Sequence, residues 1–135
     1  MLQKSALTVL VVDDHPLLRK GVVDLLELED SIMCIGEASN GHDALQLALE
    51  LEPDLILLDV EMPGMNGYEV CRQLKADAAT RNCSVIIVTS HSSVDHEVAA
   101  LEAGAADFIT KPLNAPLVRA RVKTQLLVKK QADEL

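Results

Sequence analysis

The apolar residues of this chain follow two alternating rhythms. Short continuous runs occur at Thr8–Val12 (TVLVV), Ile32–Ala38, Leu55–Asp59 (LILLD), Val85–Val88 and Asp107–Thr110. Their length and β-branched content predict strands, most of them buried on both faces as in a parallel sheet. The second run holds Gly36 and Glu37 and reads as lying nearer a sheet edge. Between the runs, apolar positions recur three and four apart, the period of a helix. Leu17, Leu18, Val22, Leu25 and Leu26 predict a helix from Pro16 to about Leu28, with the proline in the first turn. Ala44, Leu45, Leu47, Ala48 and Leu51 predict a second helix after an Asn40-Gly41 turn, ended by Pro53. Tyr68, Val70, Cys71 and Leu74 mark a third from near Gly67, and polar Lys75–Asn82 reads as a loop. Val94–Ala103 carries only Val98, Ala99 and Leu101, a thin stripe suited to a mobile face, and Gly104 reads as its C-cap. Leu117, Val118, Val122, Leu126 and Leu127 form a last stripe from about Ala115 that fades after Val128.

Strands alternating with helices predict a three-layer α/β sandwich with right-handed crossovers. Residues 1–128 are expected to form this domain, with 129–135 ending the last helix and starting a linker to an output domain.

Four of the strands end in polar groups. The first runs into Asp13-Asp14, the third ends in Asp59, the fourth in Thr89 and the fifth in Lys111. A parallel sheet brings these to one edge, where open α/β sheets bind ligands. Asp59 lies inside DLILLDVEMPGMNG (Asp54–Gly67) and is expected to present an exposed carboxylate. An Asp before a Gly/Pro loop also serves as a turn former or helix cap, and this stretch alone leaves both readings open. Three neighbouring carboxylates repel one another. Mg²⁺, which takes oxygen ligands from one or two carboxylates plus phosphate oxygens, would relieve that repulsion. Lys111 adds a point charge for a phosphoryl oxygen, and the Thr89 hydroxyl can donate to another. Nucleophile, metal, cation and donor are the parts of phosphoryl transfer.

Composition narrows the function. The net charge of −9 argues against direct binding of nucleic acid or an anionic membrane. Tyr68 and Phe108 are the only aromatics among 135 residues, too few for a base-stacking platform. Cys34, Cys71 and Cys83 lack zinc-site spacing and suggest reduced thiols in a cytoplasmic protein. No apolar run reaches the roughly 18 residues of a membrane span, and the N-terminus lacks a signal-peptide pattern. His15 reads as a loop residue near the metal rather than a ligand, since Mg²⁺ favours oxygen. His42 and His96 read as solvated helix residues.

VVDDHP at the first strand, LILLDVEMPGMNG around Asp59, IIVTS ending the fourth strand and DFITKP at the fifth resemble the response regulator receiver domains of two-component signalling. The resemblance covers about residues 7–128. It implies a flavodoxin-like (βα)5 fold with strand order 2-1-3-4-5, and a phosphoryl group accepted by Asp59 from a sensor histidine kinase or phosphotransfer protein. Asp13, Asp14, Asp59 and the backbone carbonyl of Glu61 are implied as Mg²⁺ ligands. Thr89 and Lys111 are implied as sensors of the phosphoryl group, Phe108 as the aromatic switch residue, and the peptide before Pro112 as cis. Glu61 and His91 occupy the variable flanking positions, and Ser90 replaces a small apolar residue common after the switch Thr.

The first half, DDHPLLRKG with GEASNGHDAL, resembles receivers joined to DNA-binding domains. The last helix resembles receivers that continue into an enzyme such as a diguanylate cyclase. The implied partners therefore include a C-terminal output domain and a phosphorylation-dependent homodimer. Three alternatives are a stand-alone phosphorelay shuttle, a docking module without phosphorylation and a small Mg²⁺-dependent phosphatase. The last is disfavoured because Glu61 does not complete a D-x-D pair and no cap domain is inserted.

Overall fold

The computed structural model describes residues 7–91 and 93–134. Five strands and five helices alternate strictly: β1 (Leu7–Val12), α1 (Pro16–Leu26), β2 (Ile32–Ala38), α2 (Gly41–Leu51), β3 (Leu55–Asp59), α3 (Gly67–Ala76), β4 (Ser84–Thr89), α4 (Val94–Glu102), β5 (Asp107–Thr110) and α5 (Ala115–Glu134). The strands form one parallel sheet of order β2-β1-β3-β4-β5. β2 is therefore an edge, in keeping with its polar residues.

The pleat sorts each strand between two cores. Leu10, Val12, Ile56, Leu58, Val85 and Ile87 face Ala44 and Ala48 of α2, Val70, Cys71 and Leu74 of α3 and Ala100 of α4. Val9, Val11, Leu55, Leu57, Ile86, Val88 and Ile109 face Val22 and Leu26 of α1 and Val118, Val122 and Leu126 of α5. Two buried faces explain why the strands are continuous apolar runs rather than alternating ones.

Element ends differ from the sequence reading where side chains act locally. α3 runs through Lys75 to Ala76. The Lys75 ammonium turns back to the carbonyls of Arg81 and Cys83, so its charge is used inside the fold. α1 ends at Leu26, leaving Leu28 exposed beyond the cap residue Glu27. Asn40 caps α2, accepting from the Asp43 N–H at 2.8 Å, so the helix begins at Gly41. α4 faces the core through Ala100 and turns Val98 and Leu101 outward, because a small residue lets it lie close to the sheet. The α5 stripe is narrower than its apolar content, with Leu117 and Leu127 exposed. Gly104 follows α4 at φ 98°, a backbone suited to glycine. The Lys111–Pro112 peptide is cis.

Strand register sets up the site. Val12 pairs Leu58, Asp59 pairs Val88 and Thr89 pairs Thr110. Residues 13, 59, 89 and 111 thus arrive at one sheet edge. The first turn of α3 is pressed against the same edge. A Cβ at Gly67 would lie 2.6 Å from the Asp59 carbonyl oxygen and 2.7 Å from Val60 Cα. Backbone atoms cannot yield as a side-chain tip can, so Gly67→Ala should lower stability by about 1–3 kcal/mol. A lower urea midpoint relative to wild type is expected; an unchanged midpoint would show that the close approach carries no such constraint.

Candidate functional site

The strand-end residues do meet. One ligand atom each from Asp13, Asp14, His15 and Asp59 lie within 4.8 Å of one another. Asp13 and Asp59 are buried, and Asp14 is part-exposed. The carboxylate of Asp59 is only 1% exposed, not open to solvent as expected from sequence. The loop after β3 folds over it, with the Glu61 N–H 3.3 Å from Asp59 Oδ1 and Lys111 Nζ 3.1 Å from the same oxygen.

Burial pushes the Asp59 carboxyl up to about 6. The Lys111 hydrogen bond and charge oppose the rise, while repulsion from Asp13 and the contact with Glu61 add to it. For Lys111, burial alone lowers the pKa, but the hydrogen bond and charge of Asp59 and the charges of Asp13 and Glu61 outweigh it and raise the ammonium above its ordinary value. The pair is not reciprocal. Lys111 gains from several carboxylates, whereas Asp59 has one cation against its own desolvation.

Three buried oxygens, Asp14 Oδ1, Asp59 Oδ2 and Glu61 Oε2, have no hydrogen-bond partner among the described residues. Orphaned buried acceptors are costly. The first two sit in the all-carboxylate pocket, a donor set suited to a hard divalent cation. His15 lies close by, its Nδ1 3.0 Å from Asp14 Oδ1 and 3.2 Å from Asp13 Oδ1, and it is exposed. An imidazole N–H in that place donates to Asp13 Oδ1, consistent with a residue beside the carboxylate pocket.

The opposite wall comes from β4. Thr89 is buried, and its hydroxyl oxygen accepts the His91 N–H at 3.1 Å. That leaves the hydroxyl proton for Glu61 Oε1, 3.3 Å away. The Ser90 N–H donates to the same oxygen at 2.6 Å. Burial raises the Glu61 pKa, but the Ser90 N–H, Asp59 and Lys111 outweigh it and hold the carboxyl below its ordinary value. The Glu61 side chain, placed by the sequence as a flanking group beside Asp59 with its backbone carbonyl on the metal, is thus bonded to Thr89 and Ser90 within the site. An acid two residues after Asp59 and across from a strand-end lysine was the available signal.

His91 stacks on His96 of α4, ring centroids 4.5 Å apart, and His96 Nδ1 lies 2.6 Å from Ser93 Oγ. His96 is therefore a packed residue rather than a solvated one, while His42 is exposed. Phe108 is half-buried against the α2–α4 side of the sheet. Burial pushes the Cys34 and Cys71 thiols up to about 11, so neither is a nucleophile near neutral pH.

The raised Asp59 pKa has a stability consequence with a definite sign. The carboxyl loses its proton near its ordinary 3.8 when unfolded and near 6 when folded. The stability it supplies is complete below the lower value and is lost as pH rises through the upper. Near neutral pH, Asp59 is a net burden on the metal-free fold. Asp59→Asn should therefore raise the melting temperature of the metal-free protein near pH 7, by the equivalent of about 1–3 kcal/mol. The gap should narrow as pH falls through about 6 and close below the ordinary 3.8. A variant that melts at or below wild type near pH 7 would contradict this balance.

Residues 9–123 match the response regulator receiver domain family. Over 113 residues the chain is 41% identical to the nitrate/nitrite response regulator protein NarL of Escherichia coli, covering 84% of this chain and 51% of NarL. Over 129 residues it is 41% identical to the response regulator PleD of Caulobacter vibrioides, covering 94% of this chain and 28% of PleD. The chain thus spans about half or less of the length of these curated relatives. A solved CheY-like response regulator receiver domain protein from Methanospirillum hungatei superposes with a TM-score of 0.84 at 25% identity, over 95% of this chain and 99% of that one. With its (βα)5 order and the Asp13–Asp14–Asp59 pocket at the carboxyl edge of the sheet, the chain belongs to the response regulator receiver domains of two-component signalling.

Proposed function

We propose that Asp59 is the phosphoacceptor of this receiver domain. The observation that carries the reading is the placement of a buried carboxylate against Lys111, with its second oxygen left without a hydrogen-bond partner among the described residues. An Asp59 oxygen attacks the phosphorus of a phosphohistidine on the partner kinase or phosphotransfer protein. The new O–P bond forms as the P–N bond breaks, and the imidazole leaves. Lys111 stabilises charge on the transferring oxygens, and the Thr89 hydroxyl and Ser90 N–H lie on the side from which further oxygens can be held.

The residues fit Mg²⁺: Asp13, Asp14 and Asp59 would hold it with the backbone carbonyl of Glu61. When bound it supplies positive charge that offsets the carboxylates and the incoming phosphoryl oxygens. The domain acts as a switch that modifies itself, and Phe108 on β5 is the residue that repacks when Thr89 changes partners. Glu61 and His91, each two residues after a site residue, flank the approach to Asp59 and modulate how long the phosphoryl group lasts.

The output surface is made by α4, β5 and α5, and on the outer face of α4 Val94, Val98 and Leu101 are 70%, 44% and 59% exposed. Apolar side chains aligned on one helix face suit a second copy of the domain. Residues 1–128 are the receiver, and 129–135 lead towards an output domain. That extension is supported by the greater length of NarL and PleD. A cytoplasmic setting is supported by the three free thiols; no described helix is long and apolar enough to cross a membrane.

Incubation with Mg²⁺ and acetyl phosphate should add one phosphate to the intact mass. The adduct should be absent in Asp59→Asn and in the presence of a chelator. An adduct that survives in Asp59→Asn would overturn the assignment. The phosphorylated sample should also sediment as a heavier species than the unmodified one; equal sedimentation would remove α4 as a self-association face.

A further inference from the structure

Glu61 holds the groups that an acyl phosphate on Asp59 would need. Its Oε1 accepts the Ser90 N–H at 2.6 Å and the Thr89 hydroxyl at 3.3 Å, and its Oε2 lies 3.8 Å from Lys111 Nζ. These are one backbone donor, one hydroxyl and one ammonium, all at the carboxyl edge beside Asp59. The Thr89 hydroxyl is aimed rather than free, because its oxygen already accepts from the His91 N–H. We infer that the Glu61 carboxylate is an internal anion that occupies the phosphoryl-binding donors of the resting domain and must be displaced for phosphorylation. The inference rests on the reading of Asp59 as the acceptor and extends it to a competitor built into the same chain.

The geometry allows the displacement without refolding. The Glu61 side chain is one-third exposed, so rotation about its own bonds carries the carboxylate out to water. Its backbone stays in place, with its N–H on Asp59 Oδ1. A phosphoryl group on Asp59 would bring three anionic oxygens to donors that already hold a carboxylate. Both anions cannot share one short Ser90 contact, so one must leave. Like charges in a partly buried pocket also repel strongly, which favours exit of the mobile one.

Occupation of the donors changes what the domain does before any signal arrives. Thr89 is already turned towards the pocket and bonded there, as it would be by a phosphoryl oxygen. The step that modification adds is the exchange of one anion for another, with a different charge and position. The apparent affinity for a phosphoryl group is then the intrinsic affinity multiplied by the fraction of molecules in which Glu61 is not seated. A charge-assisted contact of this kind corresponds to roughly a tenfold to hundredfold loss of affinity.

The test uses the ¹⁵N-labelled chain as wild type, Glu61→Gln and Glu61→Ala, with beryllofluoride as the phosphoryl mimic. In metal-free protein the Ser90 amide proton should resonate far downfield in wild type. It should move upfield in Glu61→Ala and less in Glu61→Gln, which keeps an uncharged acceptor. With saturating Mg²⁺, the Kd for beryllofluoride should fall roughly tenfold to hundredfold in Glu61→Ala and by less in Glu61→Gln. An unmoved Ser90 amide, or an affinity that stays the same or weakens without Glu61, would overturn the inference while leaving Asp59 as acceptor. Failure of all three proteins to bind beryllofluoride would overturn the acceptor reading and this inference together.

Discussion

A carboxylate buried to 1% exposure beside two further aspartates is the constraint on which this structure depends. Desolvation and like-charge repulsion both act against Asp59, and Lys111 alone among the described cations is in contact with it. Such a site is unfavourable for folding and suited to chemistry, because its charges are already arranged to be compensated by something that binds. The orphaned oxygens of Asp14, Asp59 and Glu61 mark where that compensation is missing.

The rest of the fold supplies the stability that tolerates this arrangement. Both faces of the sheet are covered, and β1, β3 and β4 are buried almost throughout. At the other end of the sheet Asp54 pins β1 to β3, accepting from the Thr8 N–H at 2.8 Å and hydroxyl at 3.1 Å. Close helix packing over Gly67 fixes the backbone of Asp59 and Val60. The acidic edge is thus held by hydrogen-bond register and packing rather than by attraction among its own groups. A cation would take the carboxylates of that edge, and on the proposed reading a phosphoryl group and the Glu61 carboxylate compete for the Thr89, Ser90 and Lys111 donors.

Much of this was legible from residues alone. Strand runs, helix periods and the polar residues that end strands are local signals, and a parallel sheet leaves only one way to align them. Asp13, Asp14, Asp59, Thr89 and Lys111 could therefore be placed together before any coordinates. What failed to show was set by side-chain reach across the fold. Lys75 looked like loop because its charge gave no hint of the carbonyls it caps. Asp59 looked exposed because nothing in its own stretch shows that the Glu61 N–H and the Lys111 ammonium close over its carboxylate. Glu61 looked like a flanking group only because the partners of its carboxylate, Thr89 and Ser90, lie 28 and 29 residues away. His96 looked solvated because its stacking partner His91 lies outside its own helix.

The central claim is that Asp59 is held against its own desolvation in the metal-free fold. A ¹³C-detected titration of the Asp59 side-chain carboxyl in metal-free protein reads this directly. The account predicts a midpoint of about 6, well above the ordinary 3.8, with the Asp59 resonance collapsing to a fully ionised position once Mg²⁺ is added. A midpoint at or below the ordinary value would mean that Lys111 already compensates the site, and the account would be wrong.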